Sequence, residues 1–400
     1  MPDAVIVATG RTPIGRAMKG SLVDCRPDDL SALVIREVLA KVPQLDPGLV
    51  EDVLLGCGQP AGEAGYNVAR VAALLAGVDA PGVTVNRYCS SSLQTIRMAA
   101  HAIKAGEGDV FVAAGVETVS RFGHGASDVG PHNPAFAEAE ARTAARAPAV
   151  TEPWTPPARL PDIYIAMGQT AENVAEAEKV GRTEMDEYAA LSQQRAVESQ
   201  KNGFFEREII PVTLPDGSVV TKDDGPRPDT TVEGLANLKP VFREGGTVTA
   251  GNACPLNDGA AAVVVMSDTK AAELGIAPLA RIVASGVSAL DPEIMGLGPI
   301  DACRQALARA GMTIDDIDLV EINEAFAAQV IPSAKHLGIP WERLNLKGGS
   351  IALGHPFGMT GARIMTTLLN ALEDEDKRFG LESMCVGGGQ GMAMIVERLA

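Results

Sequence analysis

Aromatic residues make up only 4% of this 400-residue chain. A core built from it must rest on small aliphatics. Cations are also scarce: 34 Lys and Arg stand against 51 Asp and Glu, for a net charge of −17. Non-specific binding to nucleic acid or to an anionic membrane needs a cationic face, so both classes are disfavoured. An anionic small ligand is not excluded, because a site's field is local. Long hydrophobic runs are missing too. The longest, Gly259 to Met266, falls far short of the ~20 residues of a membrane helix. The N-terminus has Asp3 and a short apolar stretch, Ala4 to Ala8, and no basic segment followed by a long apolar one, so no signal peptide is expected. No CxxC occurs. The six cysteines (Cys25, Cys57, Cys89, Cys254, Cys303, Cys385) are never closer than 32 residues, which removes the local signature of zinc ribbons and thioredoxin-like chemistry. They are expected to be free thiols in a reducing, cytoplasmic compartment.

What is present is a globular balance, 46% apolar and 21% charged, with 42 Gly and 26 Pro. The length implies two or three domains. Ala4–Ala8 reads as a strand. Pro27 with Asp28 and Asp29 opens a helix in which Leu30, Leu33, Val34, Val38 and Val42 recur at helical spacing. Val50–Leu55 and Val83–Val85 read as strands. A helix from Ser90 carries Leu93, Ile96, Ala100 and Ile103 and stops at Gly106, and Val110–Ala114 is another strand. Residues 121–249 change character: a Pro-rich stretch from Pro153 to Pro161, a long helix from Thr183 with a capping-box pattern to Asp186, and polar turns. They read as an inserted loop domain. Gly259–Met266 and Ala280–Ala284 restore strand character. A helix over Asp301–Gly311, the strand Leu319–Val320, a helix holding Ile364 and Leu368, and the strand Ser383–Val386 follow. Strand, polar turn and helix around Cys89 recur around His355, which implies a duplicated α/β half covered on both faces.

Cys89 follows a strand and precedes a helix that opens Ser90-Ser91-Ser92. Free N–H groups and the positive end of the helix dipole favour a thiolate there, so a lowered thiol pKa is expected. The alternative is a buried structural cysteine. Gly348, Gly349, Gly354, Gly358 and Gly361 surround His355, which read alone is a capping residue in a flexible turn. An imidazole there could also activate a distant thiol near neutral pH. Cys385 precedes Gly387-Gly388-Gly389-Gln390-Gly391, where consecutive N–H groups can converge as an oxyanion hole. The spacing fits no dinucleotide or phosphate-loop pattern. Asn323 in Asn323-Glu324-Ala325-Phe326 either holds a water or oxyanion, or caps the next helix. Asp315, Asp316 and Asp318 read as a solvated turn. His101, His124, His132 and His336 lack metal-ligand spacing, so no metal site is expected.

Together these segments resemble the thiolase family along the whole chain. Asn86-Arg87-Tyr88-Cys89-Ser90-Ser91-Ser92-Leu93-Gln94 is similar to its nucleophile block. Asn323–Ala327, Gly348–Gly361 and Cys385–Gly391 resemble three further blocks, in family order. The resemblance implies a five-layered αβαβα fold. Residues 1–120 with about 250–275 would form the N-terminal half, 121–249 a loop domain that binds coenzyme A, and 276–400 the C-terminal half. It implies thiolytic cleavage of 3-oxoacyl-CoA by an acetyl-CoA C-acyltransferase, with coenzyme A as co-substrate, no bound cofactor, and a homodimer or homotetramer. Cys89 would carry the acyl group, and Cys385 would move the α-proton. His355 would activate Cys89 and, with a water held by Asn323, polarise the thioester oxygen. The N–H groups of Cys89 and Gly387 would form a second oxyanion hole. Carried over by position, CoA contacts would come from Met167, Arg227, Phe242, Ala250, Cys254, Leu256, Met295 and Phe326.

Ser92 stands where many members have Gly, and Cys254-Pro255 where many have Ser-Gly, which would weaken a contact to the pantetheine arm. Alternative readings are a biosynthetic acetoacetyl-CoA thiolase, a ketosynthase-type condensing enzyme, a catalytically inactive CoA or lipid carrier, and a Cys-His hydrolase. Because CoA is itself anionic, local cations are expected in the loop domain at Lys222, Arg227 and Arg243.

Overall fold

The opening apolar run pairs further than its composition suggests. In a computed structural model, which describes residues 2–148 and 153–399, β1 spans Ala4–Arg11 because Thr9, Gly10 and Arg11 stay in register with Val263, Ala262 and Ala261. The first part of the chain continues with β2 (Gly15–Arg16), α1 (Pro27–Ala40), β3 (Asp52–Cys57), α2 (Val68–Leu75), β4 (Gly82–Val85), α3 (Ser91–Ala105) and β5 (Val110–Thr118). α1 has Pro27 in its first turn with Asp28 and Asp29, acids that suit the positive helix end. The middle holds α4 (Ala137–Arg146), α5 (Met167–Glu178), α6 (Arg182–Lys201), β6 (Val212–Thr213), β7 (Val219–Val220) and α7 (Val232–Ala236). The last part holds β8 (Asn257–Ser267), α8 (Asp268–Glu273), β9 (Ala280–Ala289), α9 (Gly298–Ala310), β10 (Leu319–Ile322), α10 (Ala327–Leu337), α11 (Ser350–Leu353), α12 (Thr360–Asp374), β11 (Phe379–Val386) and β12 (Gln390–Arg398).

The strand order β10-β11-β12-β9-β1-β8-β5-β3-β4 contains one pairing scheme twice. β3 lies parallel to β4 and β5, and β8 runs antiparallel to β5 and β1. In the second copy β10 lies parallel to β11 and makes a parallel bridge to Leu344, and β12 runs antiparallel to β11 and β9. The copies join where Val5 and Ile6 of β1 meet Arg281 and Ala280 of β9.

Alternation along the strands feeds different layers. Val264 and Met266 of β8 face α1 and α2, among Val34, Val38 and Ala72. Val263 and Val265 face the opposite side, where Leu93, Ile96 and Ile103 of α3 pack with Ile364 and Leu368 of α12, and with Met384 and Met394 of the second sheet. Beyond that sheet, Leu381 and Ile395 meet Ala302 of α9 and Val330 of α10. The order helix, sheet, helix, sheet, helix makes five layers. Ile96 is fully buried in the middle one, so truncating it to Ala costs about 2–5 kcal/mol.

The segment between β5 and β8 is fastened by buried charge. Arg11 donates to Glu208 at 2.8 Å and to both oxygens of Asp223 at 2.7 and 2.9 Å. Glu324 accepts the hydroxyls of Tyr188 at 2.8 Å and Ser192 at 2.6 Å, which ties α6 to the end of β10. The capping box expected at Thr183 and Asp186 is absent. α6 starts at Arg182 after Gly181, and the buried Asp186 carboxylate accepts from Arg182 at 2.6 Å and from Asn252 at 2.9 Å. One bond within the helix and one from Asn252 engage the carboxylate in place of a cap. The sequence reading did not anticipate α2, α4, α5, α7, α8, α11 or β12, nor the short strands β2, β6 and β7.

Candidate active site

Cys89 sits on a single 3-10 turn, Tyr88–Ser90, between β4 and α3. Local side chains shape that turn. Asn86 Oδ1 accepts the Tyr88 N–H at 2.8 Å, and Ser91 Oγ accepts the Arg87 N–H at 2.9 Å. Tyr88 is held at φ +41°, an uncommon conformation for a residue with a side chain. Cys89 keeps 9% exposure and its sulfur receives the backbone N–H of Gly387. Gly387 begins the turn that follows β11. Gly389 in that turn has φ +77°, and a Cβ on it would lie 2.2 Å from the Leu290 carbonyl oxygen, so only glycine fits. Cys385, fully buried near the end of β11, feels the charge of both Cys89 and Cys254, which places three thiols in one neighbourhood.

His355 precedes α12 as Cys89 precedes α3. Its N–H donates to Asn257 Oδ1 at 3.0 Å, and Gly354 before it takes φ +116° with the Asn257 amide where a Cβ would be. His355 Nε2 lies 3.3 Å from Asn323 Nδ2, and its Nδ1 lies 2.7 Å from Thr360 Oγ1. Asn323 does not cap α10, which opens after Phe326 without a side-chain cap.

Burial corrects the electrostatic expectations for Cys89 and His355 and governs Cys385 as well. Burial pushes the Cys89 thiol up to about 11, against the lowering by the Gly387 and Cys89 N–H groups. The helix end is present, but desolvation outweighs it. Burial, reinforced by the neighbouring thiols Cys89 and Cys254, also holds Cys385 well above the usual thiol range. His355 is pushed down to about 3, first by burial and then by the Arg363 charge. The resting site therefore contains neutral thiols and a neutral imidazole, not an ion pair.

The remaining expected contacts divide. Met167, Phe242, Met295 and Phe326 join one apolar cluster, with the Phe242 and Phe326 rings edge to face at 6.1 Å. Met167 Sδ would lie 3.7 Å from a Cβ on Gly387, so this cluster borders the Cys89 turn. Cys254 is half-buried, its N–H donating to the Ala325 carbonyl at 3.0 Å. Ala250 and Leu256 are exposed. Arg227 lies exposed on a groove of about 570 Å³ with Gln194, Lys201 and Thr230. Lys222 is exposed elsewhere, beside Phe205 and Ile209. Arg243 is not an available cation. It is buried and bonded to Glu176 at 2.5 Å, Gln169 at 2.8 Å and Asn173 at 2.9 Å. Ser92 also has a structural use, accepting the Ala362 N–H at 2.9 Å and so tying α3 to α12.

Sequence reasoning missed Glu117, Asn257, Ser350, Thr360 and Arg363, which surround the site residues. Glu117 accepts N–H groups from Gly58, Gln59 and Gly358 at 2.8, 3.1 and 2.8 Å. Its one sequence signal is an acid at the end of an apolar strand, Val110–Thr118. Among the described residues no helix is long and apolar enough to cross a membrane, and no group of three or more His, Cys, Asp or Glu could hold a metal ion.

Residues 4–269 match the thiolase N-terminal domain and residues 276–398 the thiolase C-terminal domain. The chain is 44% identical over 414 residues to the 3-oxoadipyl-CoA/3-oxo-5,6-dehydrosuberyl-CoA thiolase of Escherichia coli, all of both chains being covered. It is 44% identical over 410 residues to the 3-ketoacyl-CoA thiolase of Pseudoalteromonas translucida, again with full coverage. The acetyl-CoA acetyltransferase of Bacillus anthracis superposes with a TM-score of 0.87 at 39% identity, over 100% of this chain and 99% of that one. The dimeric peroxisomal thiolase of Saccharomyces cerevisiae gives 0.89 at 37% identity, over 99% and 97%. The chain belongs to the thiolase family. It is an acyltransferase that cleaves 3-oxoacyl-CoA, with coenzyme A as co-substrate.

Proposed function

We propose that Cys89 is the acyl-carrying nucleophile and Cys385 the proton carrier of a degradative thiolase. The observation that carries this reading is the Gly387 N–H aimed at the Cys89 sulfur, two residues after Cys385. One turn thus serves both thiols. As the Cys89 sulfur attacks the 3-oxo carbon, its proton passes to His355 Nε2. The oxygen that becomes negative is met by the N–H groups of Cys89 and Gly387. The bond between C2 and C3 breaks, its electron pair forms the acetyl-CoA enolate, and the Cys385 S–H protonates C2. The Cys385 thiolate then takes the proton of CoA–SH, the CoA sulfur attacks acyl-Cys89, and the leaving Cys89 sulfur recovers its proton from His355. His355 and a water held by Asn323 polarise the thioester oxygen of the acetyl unit. Two thiols are needed because an acylated sulfur cannot also shuttle a proton.

Met167, Phe242, Met295 and Phe326 would wall the pantetheine arm, with Cys254, Ala250 and Leu256 at its outer contacts and Arg227 near the phosphates. Residues 121–249 act in this reading as the loop domain that holds CoA, between halves at 1–120 with 250–275 and at 276–400. Likeness to the dimeric yeast enzyme supports a homodimer as the minimal assembly. The free state of all six thiols supports a cytoplasmic setting.

The test is CoA-dependent thiolysis of 3-oxoacyl-CoA from four to sixteen carbons, with 3-oxoadipyl-CoA included. Cys89→Ala is expected to abolish acyl-enzyme formation. Cys385→Ala is expected to acylate but to lose exchange of the acetyl-CoA α-proton. Near-normal thiolysis by Cys385→Ala overturns the two-thiol scheme. Activity confined to the four-carbon substrate overturns the broad degradative reading in favour of acetoacetyl-CoA metabolism.

A further inference from the structure

Behind the imidazole runs a buried line of hydrogen bonds that gives every proton an acceptor in one direction. Arg363, on α12, donates from Nη2 to Ser350 Oγ at 2.9 Å. Ser350 Oγ lies 2.6 Å from Asn323 Oδ1, and Asn323 Nδ2 lies 3.3 Å from His355 Nε2. Each of these four side chains belongs to a residue no more than 2% exposed. A guanidinium has donors only. Facing Arg363, Ser350 Oγ accepts, and Asn323 Oδ1 at 2.6 Å is the acceptor its single proton reaches; a reversed amide would leave that buried proton without a partner. With its oxygen engaged, the Asn323 amide must present N–H to His355 Nε2. That nitrogen must then carry the lone pair, and the ring proton sits on Nδ1. On the other side Thr360 Oγ1 spends its own proton on the Pro356 carbonyl at 2.8 Å, so it accepts from Nδ1 at 2.7 Å. Both ends of the ring agree on one tautomer.

We propose that Ser350 and Arg363 are positioning residues that lock the Asn323 amide, and through it hold His355 with an unprotonated Nε2. Without them the hydroxyl is free to rotate and the amide to flip. A flipped Asn323 presents its carbonyl oxygen to Nε2 and selects the Nε2–H tautomer, in which the nitrogen needed as base already carries a proton. Arg363 donates into this line through Ser350 alone, while its charge also bears on His355. This inference rests on the roles proposed above for Asn323 and His355.

Two measurements on the full-length enzyme test it. The first is the tautomer of His355 in the wild type, read from two-bond ¹H–¹⁵N correlations of the imidazole and identified by its loss in His355→Ala. The Nδ1–H form is expected, and a dominant Nε2–H form overturns the proposal whether or not any variant folds. The second compares Ser350→Ala with Ser350→Thr, which keeps the hydroxyl. Ser350→Ala is expected to lower kcat about tenfold to a hundredfold with KM nearly unchanged, and to move the His355 signal toward Nε2–H. Ser350→Thr is expected to restore both. Ser350→Ala with wild-type kcat, or slowed without a tautomer change, overturns it. Asn323→Ala separates the two layers. If it turns over normally, the role proposed for Asn323 fails. If it is slow while Ser350→Ala is normal, only the lock fails.

Discussion

Glu117, at the end of β5 in the first half, accepts the N–H of Gly358 at 2.8 Å from the His355 loop of the second half. The same carboxylate accepts two N–H groups after β3, so it ties two other backbone segments to its own strand through three bonds. Glu117→Ala leaves those three buried donors unpaired. A loss of about 3 kcal/mol or more is expected, at about 1–3 kcal/mol per orphaned group. Urea unfolding at pH 7 measures it, and a loss below about 1 kcal/mol overturns the three-way anchor.

Burial raises the Glu117 carboxyl to about 7 against those N–H bonds. Raised in the folded state, the group contributes stability that is complete below its unfolded value of about 4.3 and is lost as pH rises through about 7. Glu117→Gln is therefore expected to lose less stability than the wild type between pH 5 and pH 8. Equal slopes in parallel denaturation curves contradict this.

His355 near 3 and Cys89 near 11 are both neutral across the working range. The rate of Cys89 acylation is expected to stay level from about pH 5 to pH 9, with no step near the ordinary imidazole value of about 6.5. Single-turnover acylation by acetyl-CoA reads this directly. The stability linkage has the opposite sign from that of Glu117. The depressed imidazole contributes fully above about 6.5 and loses that contribution as pH falls toward about 3. The stability difference between wild type and His355→Gln is expected to narrow along that descent.

Gly354→Ala puts a Cβ within about 2.5 Å of the Asn257 amide at φ +116°. The residue cannot stay there without moving His355. A strain cost of about 1–3 kcal/mol and a fall in kcat beyond tenfold are expected. Normal kinetics with an unshifted melting temperature contradict the claim that this backbone shape positions the imidazole.

Ser92→Gly removes the acceptor for the Ala362 N–H and adds a glycine to the first turn of α3. The expected cost is about 1–2 kcal/mol, read by chemical denaturation. A neutral result assigns the joint between α3 and α12 to apolar packing alone.

Much of the fold was legible because its periodicities are local. The helix ending at Gly106 and the strand from Val110 lie where spacing and glycine put them. The four candidate side chains were legible because each stands in a distinctive short block. Their partners were not. Asn257 lies 98 residues from His355 and Glu117 241 from Gly358, and no spacing rule links such positions. Arg243 reads in sequence as a free cation, yet Glu176, Gln169 and Asn173 surround it. Burial also misled the reading of Cys89, since a helix start shows in the sequence and the depth of its surroundings does not.

The first turns of α3 and α12 touch, Ser92 against Ala362, with Cys89 before one and His355 beside the other. Two helices thus bring like poles to one point. Left empty, that arrangement is electrostatically frustrated, and the packing of the middle layer must hold it closed. A negative oxygen forming between the two ends relieves the frustration. In a chain of net charge −17 the main chain thus adds positive field at the site beside the Arg363 charge that bears on His355. No substitution can remove that main-chain part without changing the backbone itself.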